Sequence, residues 1–217
     1  MDVPLSLKGV SESLEAGAKI AHLPIDLVYT SSLVRAQMTA FLALSLHHSK
    51  KVPVLMHAGE GKKEEWGRIF GEQALADSIP VIAAAELNER MYGQLQGRDK
   101  AEMATLYGKE QVHLWRRSFD QAPPEGESLK MTAERVLPFF RSIILPKLQS
   151  GKKIFISAHG NSLRALHMEI EGLSSEEILQ EFLCCTSSTA FLLTRLCNIF
   201  ELICIERLRP KMLQSRV

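Results

Sequence analysis

The stretch IFISAHGNSLR, residues 154–164, carries the strongest local signal for the fold. Its first five residues are apolar or small and follow a polar turn at 150–153, a pattern typical of a buried strand. His159 comes directly after this run, and a helical pattern begins at Gly160. A buried strand that leads directly into a helix is the repeating unit of α/β proteins.

Outward from this stretch, helical and β-prone segments alternate along the chain. The run at 25–29 predicts a strand, and residues 30–32 predict the cap of a helix over 33–46. Another short apolar run, at 81–85, leads into a dense polar cluster at 86–93. Between them, the lysine- and glycine-rich segment 49–80 is interpreted as a surface insertion.

The later part of the chain is mainly helical before residue 154. Helical patterning runs from 100 to 119 with an interruption at Gly108, and a long helix is predicted over 128–148, kinked or divided by Pro138 and Pro146. The alternation predicts an α/β fold, a three-layer sandwich with a mostly parallel sheet and helices on both faces.

Composition excludes several classes of protein. A chain of 217 residues fits one globular domain, and its net charge of +1 lacks the basic excess of proteins that bind nucleic acid or acidic lipid. The start of the chain has no signal peptide, which predicts an intracellular, cytoplasmic protein. Charged and polar residues interrupt the apolar tail, so no membrane span is expected. No cysteine pair has C-x-x-C spacing, and no metal site is expected.

His159 is the first candidate for chemistry. Ligands of open α/β sheets bind at the carboxyl ends of the strands, where helix N-termini offer free amides to anions. The position of His159 between strand and helix would face that crevice. The alternative is a capping turn in which Asn161 or Ser162 caps the helix and His159 only packs.

Charged residues elsewhere suggest an anion site. Arg35, Arg116 and Arg117 could converge on a phosphorylated acid, because the guanidinium group matches phosphate and carboxylate geometry. They could equally lie on solvated helix faces. Glu89 lies in a dense polar cluster and could act as a general acid or base, or form a plain ion pair.

In order along the chain, short motifs resemble the signature blocks of cofactor-dependent phosphoglycerate mutases of the histidine phosphatase superfamily. The blocks are DVPLS at 2–6, YTSSLVRA at 29–36, LNERMYG at 87–93, WRRS at 115–118, PP at 123–124 with ESL at 127–129, and AHGNSLR at 158–164. Blocks 87–93 and 115–118 distinguish the mutases from the broader phosphatases, which disfavours a general phosphatase.

The resemblance implies a function and a set of site residues. It implies interconversion of 3-phosphoglycerate and 2-phosphoglycerate in glycolysis and gluconeogenesis by a phosphohistidine mechanism, with bisphosphoglycerate as primer and no metal. Glu89 would exchange the proton, and His159 would stabilise the phosphoryl group together with backbone amides. The residues that would bind substrate are Arg35, Tyr92, Lys100, Arg116, Arg117, Gly160 and Asn161.

The ends of the chain depart from the family pattern. In the family, a strand ending in Arg-His-Gly carries the nucleophilic histidine and precedes the first block, which here begins directly after Met1. We expect that first strand to be missing, with unpaired backbone groups beside 154–158. The mutase-like domain is predicted over 1–180, and the divergent tail 181–217 is expected to be loosely ordered.

These departures leave two hypotheses. One is a phosphoglycerate mutase, impaired in this form, that acts on a small phosphorylated carboxylic acid. The other is a non-catalytic anion-binding relative that keeps the arginine pocket. Family resemblance also implies a homodimer or homotetramer, and the sequence leaves a plastid location open.

Overall fold

The apolar run after the turn at 150–153 forms strand β4 (Ile154–Ala158), in which every residue is buried. The fold is that of a computed structural model, which describes residues 2–57, 65, 71–181, 189–196 and 199–204. The remaining strands are β1 (Leu27–Ser31), β2 (Val52–Met56), β3 (Ser78–Ala84), β5 (Thr189–Leu196) and β6 (Ile199–Cys204).

The described strands form one sheet in the order β2-β3-β1-β4-β5-β6. Strands β1, β2, β3 and β4 are mutually parallel, and their carboxyl ends therefore meet at one edge. Strand β5 is antiparallel to β4, and β6 is antiparallel to β5. The mostly parallel sheet is therefore confirmed.

Helices cover both faces of this sheet. They are α1 (Leu7–Ile20), α2 (Val34–Leu44), α3 (Glu72–Ala76), α4 (Lys100–Tyr107), α5 (Lys109–Arg117), α6 (Leu129–Phe139), α7 (Leu145–Gln149), α8 (Gly160–Glu171) and α9 (Ser175–Glu181). Among these described helices, none is long and apolar enough to cross a membrane.

The side chains of β4 point alternately to the two faces of the sheet, and helices pack on both faces to give three layers. Ile154 and Ile156 pack in a cluster with residues of α6 and α8, whereas Phe155 packs in a second cluster with residues of α1 and α2. Successive side chains of a strand point to opposite faces, so one buried strand serves both clusters. Full burial of each such side chain contributes about 1.5–3 kcal/mol. The predicted three-layer sandwich is confirmed.

Helices α1 and α2 approach each other closely at Gly17. A Cβ atom added at Gly17 would lie 2.4 Å from the Ala43 carbonyl oxygen and 2.7 Å from the Ala43 Cα. Both are backbone atoms, which cannot move aside as a flexible side chain can. A glycine is therefore needed for this helix pair to pack.

Two sequence predictions about the sheet are wrong. Part of the segment interpreted as a surface insertion forms β2, which pairs along its length with β3. The expected unpaired groups beside β4 are absent from the described residues, because β5 pairs there from Ile154 opposite Leu193 to Ala158 opposite Thr189. Residues 189–196 and 199–204 form β5 and β6 within the segment predicted as a divergent tail, whose loose order stays a prediction. Cys184, Cys185 and Cys197 lie outside the described residues.

Two predicted helix interruptions are confirmed. Gly108, at a φ of 86°, separates α4 from α5. The long helix predicted over 128–148 divides into α6 and α7, joined by a π-helical segment (Phe140–Ile144). Pro138 lies near the end of α6, where its missing N–H disturbs the regular hydrogen-bond ladder.

Candidate active site

The candidate site lies at the edge where the parallel strands end. Strand β1 ends at Ser31 and β4 at Ala158, and a short helical turn (Ala85–Leu87) follows β3. The residues just beyond these ends come from three separate parts of the sequence. Parallel pairing brings them together, as expected for a ligand crevice in an α/β sheet.

His159 is held at the start of α8. Its Nε2 lies 2.7 Å from the Ser31 hydroxyl oxygen. The His159 backbone N–H donates to the Ser162 hydroxyl, which itself donates to the His159 carbonyl. Only 3% of His159 is exposed. The ring is therefore fixed both by its own backbone and by the end of β1.

His159 is uncharged at neutral pH. Burial, followed by the positive charges of Arg35 and Arg135, lowers the pKa of His159 from 6.5 to about 3. A buried imidazole without a carboxylate partner loses hydration when it is protonated, and nearby guanidinium groups oppose a further positive charge. The group available to a ligand is thus a neutral imidazole.

Glu89 is linked to two other predicted site residues. Its Oε1 accepts hydrogen bonds from the Arg90 backbone N–H at 2.7 Å and from Asn161 Nδ2 at 2.9 Å. The same Asn161 nitrogen lies 3.3 Å from the Tyr92 hydroxyl. Asn161 therefore bridges Glu89 and Tyr92, and the capping role left open by the sequence is taken by the His159 and Ser162 pair.

Two guanidinium groups lie against the Tyr92 ring. The Arg90 guanidinium carbon is 4.6 Å from the ring centroid and that of Arg116 is 5.4 Å away. Arg90 is 2% exposed. Among the described residues, neither arginine forms an ion pair, and the Nε of each is buried without a hydrogen-bond partner. Buried donors of this kind favour an anionic ligand.

Arg35 approaches from the start of α2. Its guanidinium group lies 3.9 Å from an Asp2 carboxylate oxygen, and the Asp2 carboxylate accepts from the Val34 backbone N–H at the N-terminus of the helix. Its charge acts on His159, as the lowered pKa of that histidine shows. Arg35 is therefore close enough to His159 for its positive charge to lower the pKa of that ring.

The structure does not bring every predicted residue into this cluster. Arg117 is the last residue of α5 and is exposed, outside the contacts that join Arg116 to Tyr92. Lys100 begins α4, and its side chain is outside the described part of the structure. Gly160 is the first residue of α8, so its backbone amide is at a helix N-terminus.

Four residues of the site escaped the sequence interpretation. Ser31 contacts His159, and Asn88 accepts from both the backbone N–H and the hydroxyl of Ser32, which ties the segment after β3 to the end of β1. Arg135 and Glu127 pair beneath the segment 86–91. Ser31, Asn88 and Glu127 lie inside the signature blocks, which is the signal that could have identified them.

The sequence and the fold are those of a known class. The family described as the histidine phosphatase superfamily (branch 1) matches residues 1–59 and 68–197. The chain belongs to this superfamily.

The curated proteins that the chain resembles include phosphoglycerate mutases. The chain is 57% identical over 180 residues to the 2,3-bisphosphoglycerate-dependent phosphoglycerate mutase of Protochlamydia amoebophila, which covers 83% of this chain and 80% of that protein. It is 53% identical over 178 residues to the phosphoglycerate mutase 2 of Arabidopsis thaliana, covering 82% of this chain and 54% of the relative. The resemblance inferred from the signature blocks is confirmed.

Solved structures show the same fold at much lower sequence identity. Bacillus stearothermophilus YhfR superposes with a TM-score of 0.66 over 94% of this chain and 84% of its own, at 18% identity. The α-ribazole phosphatase of Shigella flexneri gives 0.65 over the same shares of the two chains, at 21% identity. At such identities the similarity concerns the fold alone.

Proposed function

We propose that the chain is a phosphoglycerate mutase that interconverts 3-phosphoglycerate and 2-phosphoglycerate. The observation that carries the proposal is the link from Glu89 to two arginines that form no ion pair among the described residues. Asn161 joins Glu89 to Tyr92, and Arg90 and Arg116 lie against the Tyr92 ring. If an anion binds to these arginines, a hydroxyl group of that anion would lie near the Glu89 carboxylate.

The substrate is a small acid with a phosphate and a carboxylate group. Arg35 and Arg116 are proposed to bind these groups, because charge-assisted bonds from guanidinium to oxyanions are strong and directional. Tyr92, Asn161 and the Gly160 amide line the same region, and Arg117 and Lys100 are included from the family resemblance. The same donors fit bisphosphoglycerate, which when bound supplies the phosphoryl group that primes the reaction.

Glu89 is proposed to move the proton. When a substrate hydroxyl oxygen forms its bond to phosphorus, the bond from phosphorus to the nitrogen of the carrier histidine implied by the family resemblance breaks, and the hydroxyl proton passes to the Glu89 carboxylate. In the reverse direction Glu89 returns that proton to the substrate oxygen as the phosphorus–oxygen bond breaks. Proton transfer by a positioned group of this kind contributes typically ~10²–10⁴-fold to rate.

His159 is proposed to stabilise the transferring phosphoryl group and not to carry it. Its Nε2 contacts Ser31, and it is almost fully buried. Phosphoryl transfer spreads negative charge over the equatorial oxygens, so a fixed hydrogen-bond donor and nearby cations supply most of the catalysis. The family resemblance implies that the accepting histidine lies in an Arg-His-Gly strand.

The test measures conversion of 3-phosphoglycerate with the bisphosphate primer, together with calorimetric binding of 3-phosphoglycerate. Residues 1–217 are compared with a chain extended at its amino terminus by a strand ending in Arg-His-Gly. We expect residues 1–217 to bind without turnover and the extended chain to do both. Absence of binding in both chains would contradict the proposal.

Two other outcomes are also decisive. Binding without turnover in the extended chain would identify an anion-binding relative and not a mutase. Turnover by residues 1–217 that His159→Ala abolishes would overturn the proposed role of His159. An intracellular location and a homo-oligomeric state stay predictions.

A further inference from the structure

Arg135, on α6, uses its whole guanidinium group beneath the segment that carries Glu89. Nε and Nη2 each donate to a Glu127 carboxylate oxygen at 3.0 Å. Nη1 donates to the Glu86 carbonyl at 2.5 Å, and Nη2 donates to the carbonyls of Asn88 at 3.0 Å and Glu89 at 3.2 Å. One side chain therefore joins a carboxylate to three backbone carbonyls.

Glu127 completes the attachment from the other side. Its Oε2 accepts the Met91 backbone N–H at 3.0 Å, and its own backbone N–H donates to the Met91 carbonyl at 2.8 Å. Burial alone would raise the pKa of Glu127, but hydrogen bonds from Arg135 and Met91 and the charges of Arg135 and Arg90 lower the pKa overall. The carboxylate stays ionised, and the pair stays charged.

The segment 86–91 is held at both ends by these two side chains. Carbonyls before Glu89 bond to Arg135, and the amide after Arg90 bonds to Glu127. Gly93 then packs against the loop 123–126, where an added Cβ would lie 2.1 Å from the Pro124 carbonyl oxygen. The backbone positions of Glu89, Arg90 and Tyr92 thus depend on contacts outside the ligand site.

We infer that Arg135 is a positioning residue, which with Glu127 fixes the backbone from which the Glu89 carboxylate and the Arg90 guanidinium reach the substrate. The kinetic part of this inference rests on the proposed function. Reacting groups displaced by about 1 Å lose on the order of 100-fold in rate. A fork to one carboxylate and three carbonyls is a geometry that lysine cannot reproduce, although lysine keeps the charge.

The chain offers a matched control for the loss of an arginine fork. Arg141 donates to both oxygens of Glu169 at 2.7 Å and 2.8 Å, between the π-helical segment and α8. Neither of these two bonds reaches the segment 86–91. Arg141→Lys therefore removes the same kind of bidentate contact without changing the support of Glu89.

The first measurement is amide hydrogen exchange in the segment 86–91, made on the chain of residues 1–217. In Arg135→Lys we expect exchange to accelerate by about 10-fold or more there, which corresponds to the loss of roughly one charge-assisted hydrogen bond. In Arg141→Lys we expect no change in that segment. This measurement needs no turnover, so it decides the structural part of the inference even if the proposed function fails.

The second measurement is steady-state kinetics in the chain that turns over 3-phosphoglycerate. Arg135→Lys should lower kcat by about 10- to 100-fold with KM changed much less, because the geometry of proton transfer is disturbed more than overall anion binding. Arg141→Lys should keep both constants. If the chain extended by the Arg-His-Gly strand shows no turnover, that result counts against the proposed function and not against the structural part of this inference.

Several results would overturn the inference. Unchanged exchange in 86–91 would do so, as would a fall in kcat that Arg141→Lys shares. If Arg135→Lys does not fold, Glu127→Gln replaces it, because the amide keeps an acceptor for Met91 while losing the ion pair. Normal exchange and normal kcat in Glu127→Gln would then refute the positioning role.

Discussion

Acidification should destabilise this protein through His159. The pKa of His159 is about 3 in the folded chain and has its ordinary value of 6.5 when the chain is unfolded. Between these values the unfolded state binds more protons, so the free energy of unfolding falls as the pH falls through 6.5 and continues to fall towards 3. From pH 7 to pH 5 the two pKa values give a loss of about 2 kcal/mol.

Urea unfolding at pH 7 and pH 5 measures this loss, with His159→Gln as the reference. Glutamine keeps a hydrogen-bonding side chain near Ser31 but does not titrate, and every other titrating group is common to both proteins. The wild-type chain should lose about 2 kcal/mol more than the variant. Equal losses in the two proteins would refute the view that His159 is held neutral by burial and by the charges of Arg35 and Arg135.

Three further predictions concern the site and the helix packing. Arg116→Ala should weaken 3-phosphoglycerate binding by ~1.5–3 kcal/mol in calorimetry, and family resemblance implies a similar loss for Arg117→Ala; unchanged binding in the latter would mean that the exposed Arg117 only faces solvent. Glu89→Gln should lower kcat by roughly 100-fold or more while 3-phosphoglycerate still binds, and full activity would exclude Glu89 as the proton carrier. Gly17→Ala should lower the free energy of unfolding by ~1–3 kcal/mol in urea melts, because its Cβ meets the Ala43 backbone, whereas Gly9→Ala meets only the Leu5 side chain and should be tolerated.

The sequence predicted those parts of the fold whose signal is local. Strand β4 was predicted with the bounds that the structure shows, because a fully apolar run ended by a polar turn has few other interpretations. Strand β1 begins two residues later than predicted, since Asp26 pairs with the backbone of Lys153 before the strand begins. Strand β2 was missed because it lies at the sheet edge and its first residue, Val52, is 61% exposed.

The site was predictable where motifs mark it. Glu89, Tyr92 and Asn161 lie in signature blocks and are joined by side-chain hydrogen-bond contacts. His159 lies two residues before Asn161 and contacts Ser31 of another block. Arg135 was not predictable, because its partners are mostly backbone carbonyls between 46 and 49 residues away. A carbonyl acceptor leaves no trace in residue identity, so such a contact is visible only in three dimensions.

The π-helical segment between α6 and α7 determines which side chains of this long helix point inward. Val136, Phe140, Ile144 and Leu148 are all buried, at a constant spacing of four residues. On a regular α-helix each step of four overshoots a full turn by about 40°, so the four side chains would spiral away from the sheet. The wider turn at 140–144 removes part of this overshoot, so the buried side chains of α6 and α7 stay on the same side of the helix. Deleting the exposed Ser142 would turn α7 by about 100° about the helix axis and carry Leu148 out of the core, although no residue of the core itself had been changed.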